Sequence, residues 1–303
     1  MQSLYVDGFY GLMELYTVYR FLVRIIRLKW LWWSLVLLAV FGFLGYKGAF
    51  YLDKAFSVAQ ELPVYHIGPR PDDDTLRVAV IGDSWAEYHT SLECDTIFCR
   101  YAKRLTSRPV KCFSRGHSGK VTKEIYNEMF SNRTVEHSWE IDRCTQPLIE
   151  QHPDYCIIMA GINDWRLFKP KDFYVGNYRL ILNLLIGNGI RPVIMEVPDV
   201  DIQYLNDNRE FYRRWMFDAL SLLTGIDDSS VQPYRDAMRK MLQDTGLDEK
   251  VLYIPMSAWN PGGVDANPEI YLDDRLHLNL KGYHVLDSCM AYDVVKDYLK
   301  RKQ

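Results

Sequence analysis

Four short stretches of the chain carry the residue types that acyl transfer needs. Gly82-Asp83-Ser84 closes an apolar run, and a serine there either caps a turn and the helix after it or is presented as a nucleophile. Gly116, His117, Gly119 and Lys120 follow a second run, and Gly161-Ile162-Asn163-Asp164 follows a third. The fourth stretch holds Asp273, Asp274 and His277, just before the last helical segment. A serine hydroxyl is a weak nucleophile until a base takes its proton, and imidazole is the side chain that titrates near working pH. Each stretch alone has an ordinary structural reading: an N-cap, a glycine turn, loop punctuation, a packed histidine. Those separate readings do not explain why all four come in order at the ends of successive elements.

The elements that must hold these residues are read from hydropathy. Short β-branched runs at 77–81, 109–113, 155–160, 192–196 and 251–254 are largely apolar, as expected of parallel strands covered on both faces. Helical patterns lie between and after them, at 85–105, 120–130, 174–187, 208–223, 231–245 and 282–300. Strands alternating with helices predict a doubly wound α/β sandwich, whose ligands bind beyond the carboxyl ends of the strands. The polar stretches fall at those ends.

Together the blocks resemble the SGNH/GDSL hydrolase family over residues 76–299: Gly82-Asp83-Ser84, then Gly119, then Gly161-Ile162-Asn163-Asp164, then Asp274-Arg275-Leu276-His277. The resemblance implies a flavodoxin-like three-layer α/β sandwich with a central parallel sheet of about five strands. It implies Ser84 as nucleophile, His277 as base and Asp274 as the partner of His277. It further implies an oxyanion hole made of the Ser84 and Gly119 backbone N–H groups and the Asn163 amide. Gly116 is the competing glycine and Asp273 the competing carboxylate. Asp83 and Asp164 read as loop braces, while His117, Lys120, Trp85 and Trp165 either line a cleft or are structural. Two positions depart from the family pattern: Trp85 where a leucine often follows the serine, and Leu278 where a proline often follows the histidine. No cofactor and no metal are implied.

A net charge of −3 over 303 residues excludes the strong basic footprint of a nucleic-acid partner. The six cysteines show no metal-ligand spacing and read mostly as small buried residues. Residues 30–52 carry few charges and several tryptophans, which predicts one transmembrane helix. Residues 1–29, with Arg20, Arg24 and Arg27 at helical spacing, suit an amphipathic interfacial helix or a docking site for a membrane protein. The basic flank puts the N-terminus in the cytoplasm and the domain from residue 76 outside it, after a linker at 53–75. The expected activity is an ester hydrolase or O-acyltransferase on O-acetylated cell-surface carbohydrate. Alternatives are a lipid esterase or thioesterase, or a catalytically idle binding module. The aromatic-rich segment 201–245 reads as core in preference to a lid.

Overall fold

The computed structural model describes residues 56–130, 145–208, 210–226 and 229–302, together with residues 20, 36, 38, 40 and 42. The chain divides into two compact units, Met1–Ser57 and Val58–Gln303. The described residues 20, 36, 38, 40 and 42 of the first unit are helical. The expected segments 1–29 and 30–52 otherwise lie outside the described residues. Among the described residues no helix is long and apolar enough to cross a membrane.

The second unit is built on five parallel strands: β1 (Leu76–Gly82), β2 (Val110–Gly116), β3 (Tyr155–Met159), β4 (Arg191–Met195) and β5 (Leu252–Ile254), in the order β2-β1-β3-β4-β5. The helices that follow them are α1 (Ser84–Ser91), α2 (Cys94–Leu105), α3 (Thr122–Glu128), α4 (Ile162–Arg166), α5 (Lys171–Gly187), α6 (Ile202–Asp207), α7 (Phe211–Thr224), α8 (Gln232–Thr245) and α9 (Leu280–Arg301). Single helical turns at Gln146–Ile149, Met256–Trp259 and Gly263–Ala266 complete the described helices longer than three residues. Right-handed crossovers fix the layers. The step from β1 to β2 runs opposite to all later steps, so its helix lies on the other face from theirs. Accordingly α2 packs with α9, while α3 and α8 pack with α5.

Every residue of β1 and β3 is buried; the run of β3 is apolar, and the one charged residue of β1, Arg77, is paired with Asp73 at 2.6 Å. β2 differs from the expectation of cover on both faces. It is an edge strand, and between its two buried ends its side chains are exposed or half-buried. The helix expected over 85–105 is two helices, because Glu93 adopts a left-handed conformation with φ 56° between α1 and α2.

The stretch expected as a linker is tied down from residue 58 onward. Ala59 donates its N–H to Asn177, Leu62 to the Tyr126 hydroxyl and Ile67 to Asn188, and the Tyr65 hydroxyl donates to the Met129 carbonyl. Three prolines and a glycine keep this strap out of regular structure, so side chains of α3, α5 and the turn after α5 satisfy its backbone instead.

Candidate active site

The chain leaves β1 toward β2 on one side and returns to β3 on the other, so the carboxyl ends of β1, β2 and β3 meet at the switch in strand order. Ser84 stands there as the first residue of α1. Asp83 caps that helix, accepting the Trp85 N–H at 3.0 Å. Buried Asp83 has its pKa pushed up by desolvation to about 8. Helix α1 is pinned from beneath by the Tyr283 hydroxyl of α9, which donates to the Trp85 carbonyl at 2.7 Å.

His277 reaches Ser84 from the opposite end of the sequence. Its Nε2 lies 2.8 Å from the Ser84 hydroxyl oxygen, and its Nδ1 lies 2.5 Å from Asp274 Oδ2. The other Asp274 oxygen accepts the backbone N–H groups of Leu276 and His277, both at 2.9 Å. This carboxylate therefore shapes the turn with one oxygen and orients the imidazole with the other. Burial raises the Asp274 pKa, but the hydrogen bonds and charge from His277, together with the Leu276 N–H, outweigh it and hold the group down at about 2. An ionised Asp274 keeps the proton on Nδ1 and leaves Nε2 to accept the serine proton. Exposed Asp273 makes none of these contacts.

The loops that carry the three expected oxyanion donors are stitched side by side. His117 donates its N–H to the Gly82 carbonyl at 3.1 Å, and Asn163 donates its side-chain amide to the Lys120 carbonyl at 3.1 Å. One amide hydrogen of Asn163 remains for a ligand. Among the described residues the N–H groups of Ser84 and Gly119 donate to no acceptor. The two candidate glycines separate cleanly. A Cβ at Gly116 would sit 2.2 Å from the Glu87 backbone nitrogen, so Gly116 is needed for packing of β2 against α1. Gly119 has φ +80° with nothing within 4 Å of a built Cβ. Its requirement is the left-handed backbone that aims its N–H, in an open space.

A model of the GDSL-like lipase/acylhydrolase family matches residues 80–285. The chain belongs to that family. As a GDSL-like hydrolase it is an enzyme acting on ester bonds. No curated protein matches it in sequence. Among solved structures it is similar to a GDSL-like lipase from Bacteroides thetaiotaomicron, at 16% identity and TM-score 0.48, covering 73% of this chain and 88% of that one. It is also similar to the esterase EstA from Pseudoalteromonas sp., at 13% identity and TM-score 0.48, covering 75% and 100%. A third is an acetylxylan esterase from Geobacillus stearothermophilus solved as a catalytic mutant, at 15% identity and TM-score 0.43, covering 75% and 95%.

Of the side chains expected in or near the cleft of this GDSL-like hydrolase, several are structural. Trp85 and Trp165 are buried in the core, Trp85 with its ring 6.3 Å edge-on from Trp259. Leu278, in place of the proline, is buried and pairs with Tyr271. His117 and Lys120 both face Glu128, at 2.8 and 3.5 Å, and so brace the Gly119 loop. Asp164 accepts the backbone N–H and hydroxyl of Thr122, locking the start of α3 to α4. Among the described residues no group of three or more His, Cys, Asp or Glu could hold a metal ion. The five described cysteines are free thiols, and Cys94 and Cys156 are buried.

Tyr88 was not singled out from the sequence. Its ring stacks on His277 with centroids 4.6 Å apart at 23°, holding the imidazole plane that Asp274 aims. The signal was present, since Tyr88 is four residues after Ser84 and therefore on the same face of α1. Glu87, one residue earlier, accepts the Ser118 N–H at 2.6 Å and so ties α1 to the Gly119 loop.

Proposed function

We propose that this GDSL-like hydrolase cleaves acyl esters through an acyl-enzyme on Ser84. The continuous hydrogen-bonded chain from Ser84 through His277 to Asp274 carries the reading. Ser84 Oγ attacks the ester carbonyl as its proton passes to His277 Nε2, and the N–H groups of Ser84 and Gly119 with the Asn163 amide receive the oxyanion. Collapse expels the alcohol, which takes the proton back from His277. Water, or a sugar hydroxyl, then attacks the acyl-serine with the same histidine as base. Water makes an esterase, and a sugar hydroxyl makes an O-acyltransferase.

The substrate proposed is an O-acetylated carbohydrate at the cell surface. Its support is a cavity of about 360 Å³ lined by Asp199, Asp201, Gln203, Ser230 and Asp265, polar groups suited to hydroxyls. This cavity adjoins the turn that carries His277, because the Asp201 N–H donates to the Arg275 carbonyl at 3.2 Å. We further propose that residues 30–52 anchor the chain in the membrane, with the N-terminus cytoplasmic and the enzyme outside. A role for residues 1–29 in contact with the bilayer or a membrane protein belongs to the same reading.

The test is p-nitrophenyl acetate turnover, with mass spectrometry of the intact protein for an acyl adduct. Wild type is expected to turn over and acylate. Ser84→Ala is expected to lose the adduct and at least about a thousandfold in kcat. Equal rates in the two proteins would overturn the assignment.

A further inference from the structure

We infer that Cys99 and Cys112 form a reactive thiol pair that exchanges with a small anionic disulfide and closes into a bridge between α2 and β2. Both line one cavity of about 330 Å³, together with Asp95, Thr96, Arg100 and Lys103. Thr96, Cys99 and Lys103 are three and four residues apart, so they share one face of α2. Cys112 faces the same layer. Side chains alternate along a strand, and the hydroxyl of Ser114, two residues on, lies 2.8 Å from that of Thr90 in α1. Both thiols of the pair are half-buried, whereas Cys94 and Cys156 are buried.

The open edge of β2 gives the two thiols different roles. Pro109 turns its carbonyl toward β1, accepting the Leu76 N–H at 2.9 Å. Peptide groups alternate sides along a strand, so the Val110 carbonyl and the Cys112 N–H face away from β1. Cys99 fills that edge: its thiol donates to the Val110 carbonyl at 3.8 Å, and its sulfur accepts the Cys112 N–H. Hydrogen bonding from the Cys112 thiol, with the Lys103 charge and the Cys112 N–H, outweighs burial and holds the Cys99 pKa below its ordinary value. The same thiol contact, reinforced by burial, pushes the Cys112 pKa up. Cys99 is therefore the attacking thiol and Cys112 the second one.

The Cys99 sulfur attacks one sulfur of an incoming disulfide R–S–S–R. The bond Cys99–S–S–R forms, and the other half leaves as a thiolate that takes up the proton lost from Cys99. The mixed disulfide carries no negative charge, so the main interaction that kept the proton on Cys112 is gone. Cys112 then loses its proton and attacks the Cys99 sulfur, the protein disulfide forms, and the second R–S⁻ leaves with that proton. Two cysteine thiols are oxidised, and one small disulfide is reduced to two thiols. Arg100 and Lys103 against the single carboxylate Asp95 give the cavity an excess of positive charge, which suits a disulfide bearing carboxylates.

The probe is oxidised glutathione, added to the reduced full chain near neutral pH without denaturant. Peptides mapped and fragmented by mass spectrometry without reduction are expected to show Cys99 joined to Cys112, two hydrogens lighter than the free pair. Dithiothreitol is expected to restore both thiols. Cys112→Ser is expected to stop at one glutathione, on Cys99. Cys99→Ser, folded as judged by its melting temperature, is expected to take glutathione on Cys112 at least about tenfold more slowly. Wild-type thiols that stay free, a link from either cysteine to any other, or adducts on both without a link would overturn the proposal, as would equal uptake by the two variants. So would glutathione on Cys99 of the wild type no faster than on half-buried Cys289 of the same molecule, a comparison that needs no variant. Ester turnover has no part in these readouts, so failure here leaves the chemistry at Ser84 to its own assay.

Discussion

At the scale of single residues, the proposed chemistry rests on one carboxylate with two tasks. Asp274 holds its own turn through two backbone N–H groups and the imidazole through the other oxygen. Asp274→Asn keeps a group that can accept or donate at each position, so the turn survives while the tautomer of His277 is no longer enforced. The expected outcome is a fall of about 10²–10⁴ in kcat with KM little changed, measured by steady-state turnover. A change confined to KM would mean that Asp274 acts on binding. Tyr88 adds a second restraint on the same ring, from the face instead of the edge.

At the scale of elements, α1 and the loops around it must pack without space to spare. Gly116→Ala sets a methyl against the backbone of Ala86 and Glu87, and neither can yield without moving the helix that begins with Ser84. Urea denaturation is expected to show a loss of about 3 kcal/mol or more. Gly119→Ala meets only the cost of a left-handed alanine, about 1–2 kcal/mol. Equal losses would show that the packing reading of Gly116 is wrong.

Buried Asp164 makes the fold sensitive to pH. Desolvation raises its pKa to about 7 despite the two hydrogen bonds from Thr122, against about 3.9 in an unfolded chain. Between those values the native state keeps a proton that the unfolded chain has lost, so stability falls as pH rises through the window. Asp83 extends the fall to about pH 8. The melting temperature is expected to drop by roughly 5 °C or more from pH 5 to pH 8, and Asp164→Asn to flatten that drop. A profile of Asp164→Asn that tracks wild type would locate the pH dependence elsewhere.

At the scale of the whole molecule, the domain begins well before its first strand. A chain beginning at residue 76 lacks the buried Tyr65 ring, the hydrogen bonds of Ala59, Leu62, Tyr65 and Ile67, and the pairing of Arg70 with Asp154. It is expected to be roughly 2–4 kcal/mol less stable to urea than one beginning at residue 58. Identical midpoints would reduce the strap to a passive covering.

The sequence by itself determined the five strands, four of them to within a residue and β2 to within three at its end, because largely apolar β-branched runs between turn residues have few other ways to be buried. It also determined the contact between Asp274 and His277, since they are three residues apart and local geometry suffices to join them. Only the tertiary structure decided the rest. Prolines made residues 58–75 read as a linker, while the groups that cap their backbone, Tyr126, Asn177 and Asn188, lie 64 to 121 residues away. Helical spacing in 201–245 showed that apolar residues shared a face, but not whether the fold had anything to put against it. Buried Tyr234 of α8 went into the core, and Phe211, Trp215 and Leu222 of α7 were left outside. Periodicity is a property of one helix, whereas burial depends on what the other elements bring to it.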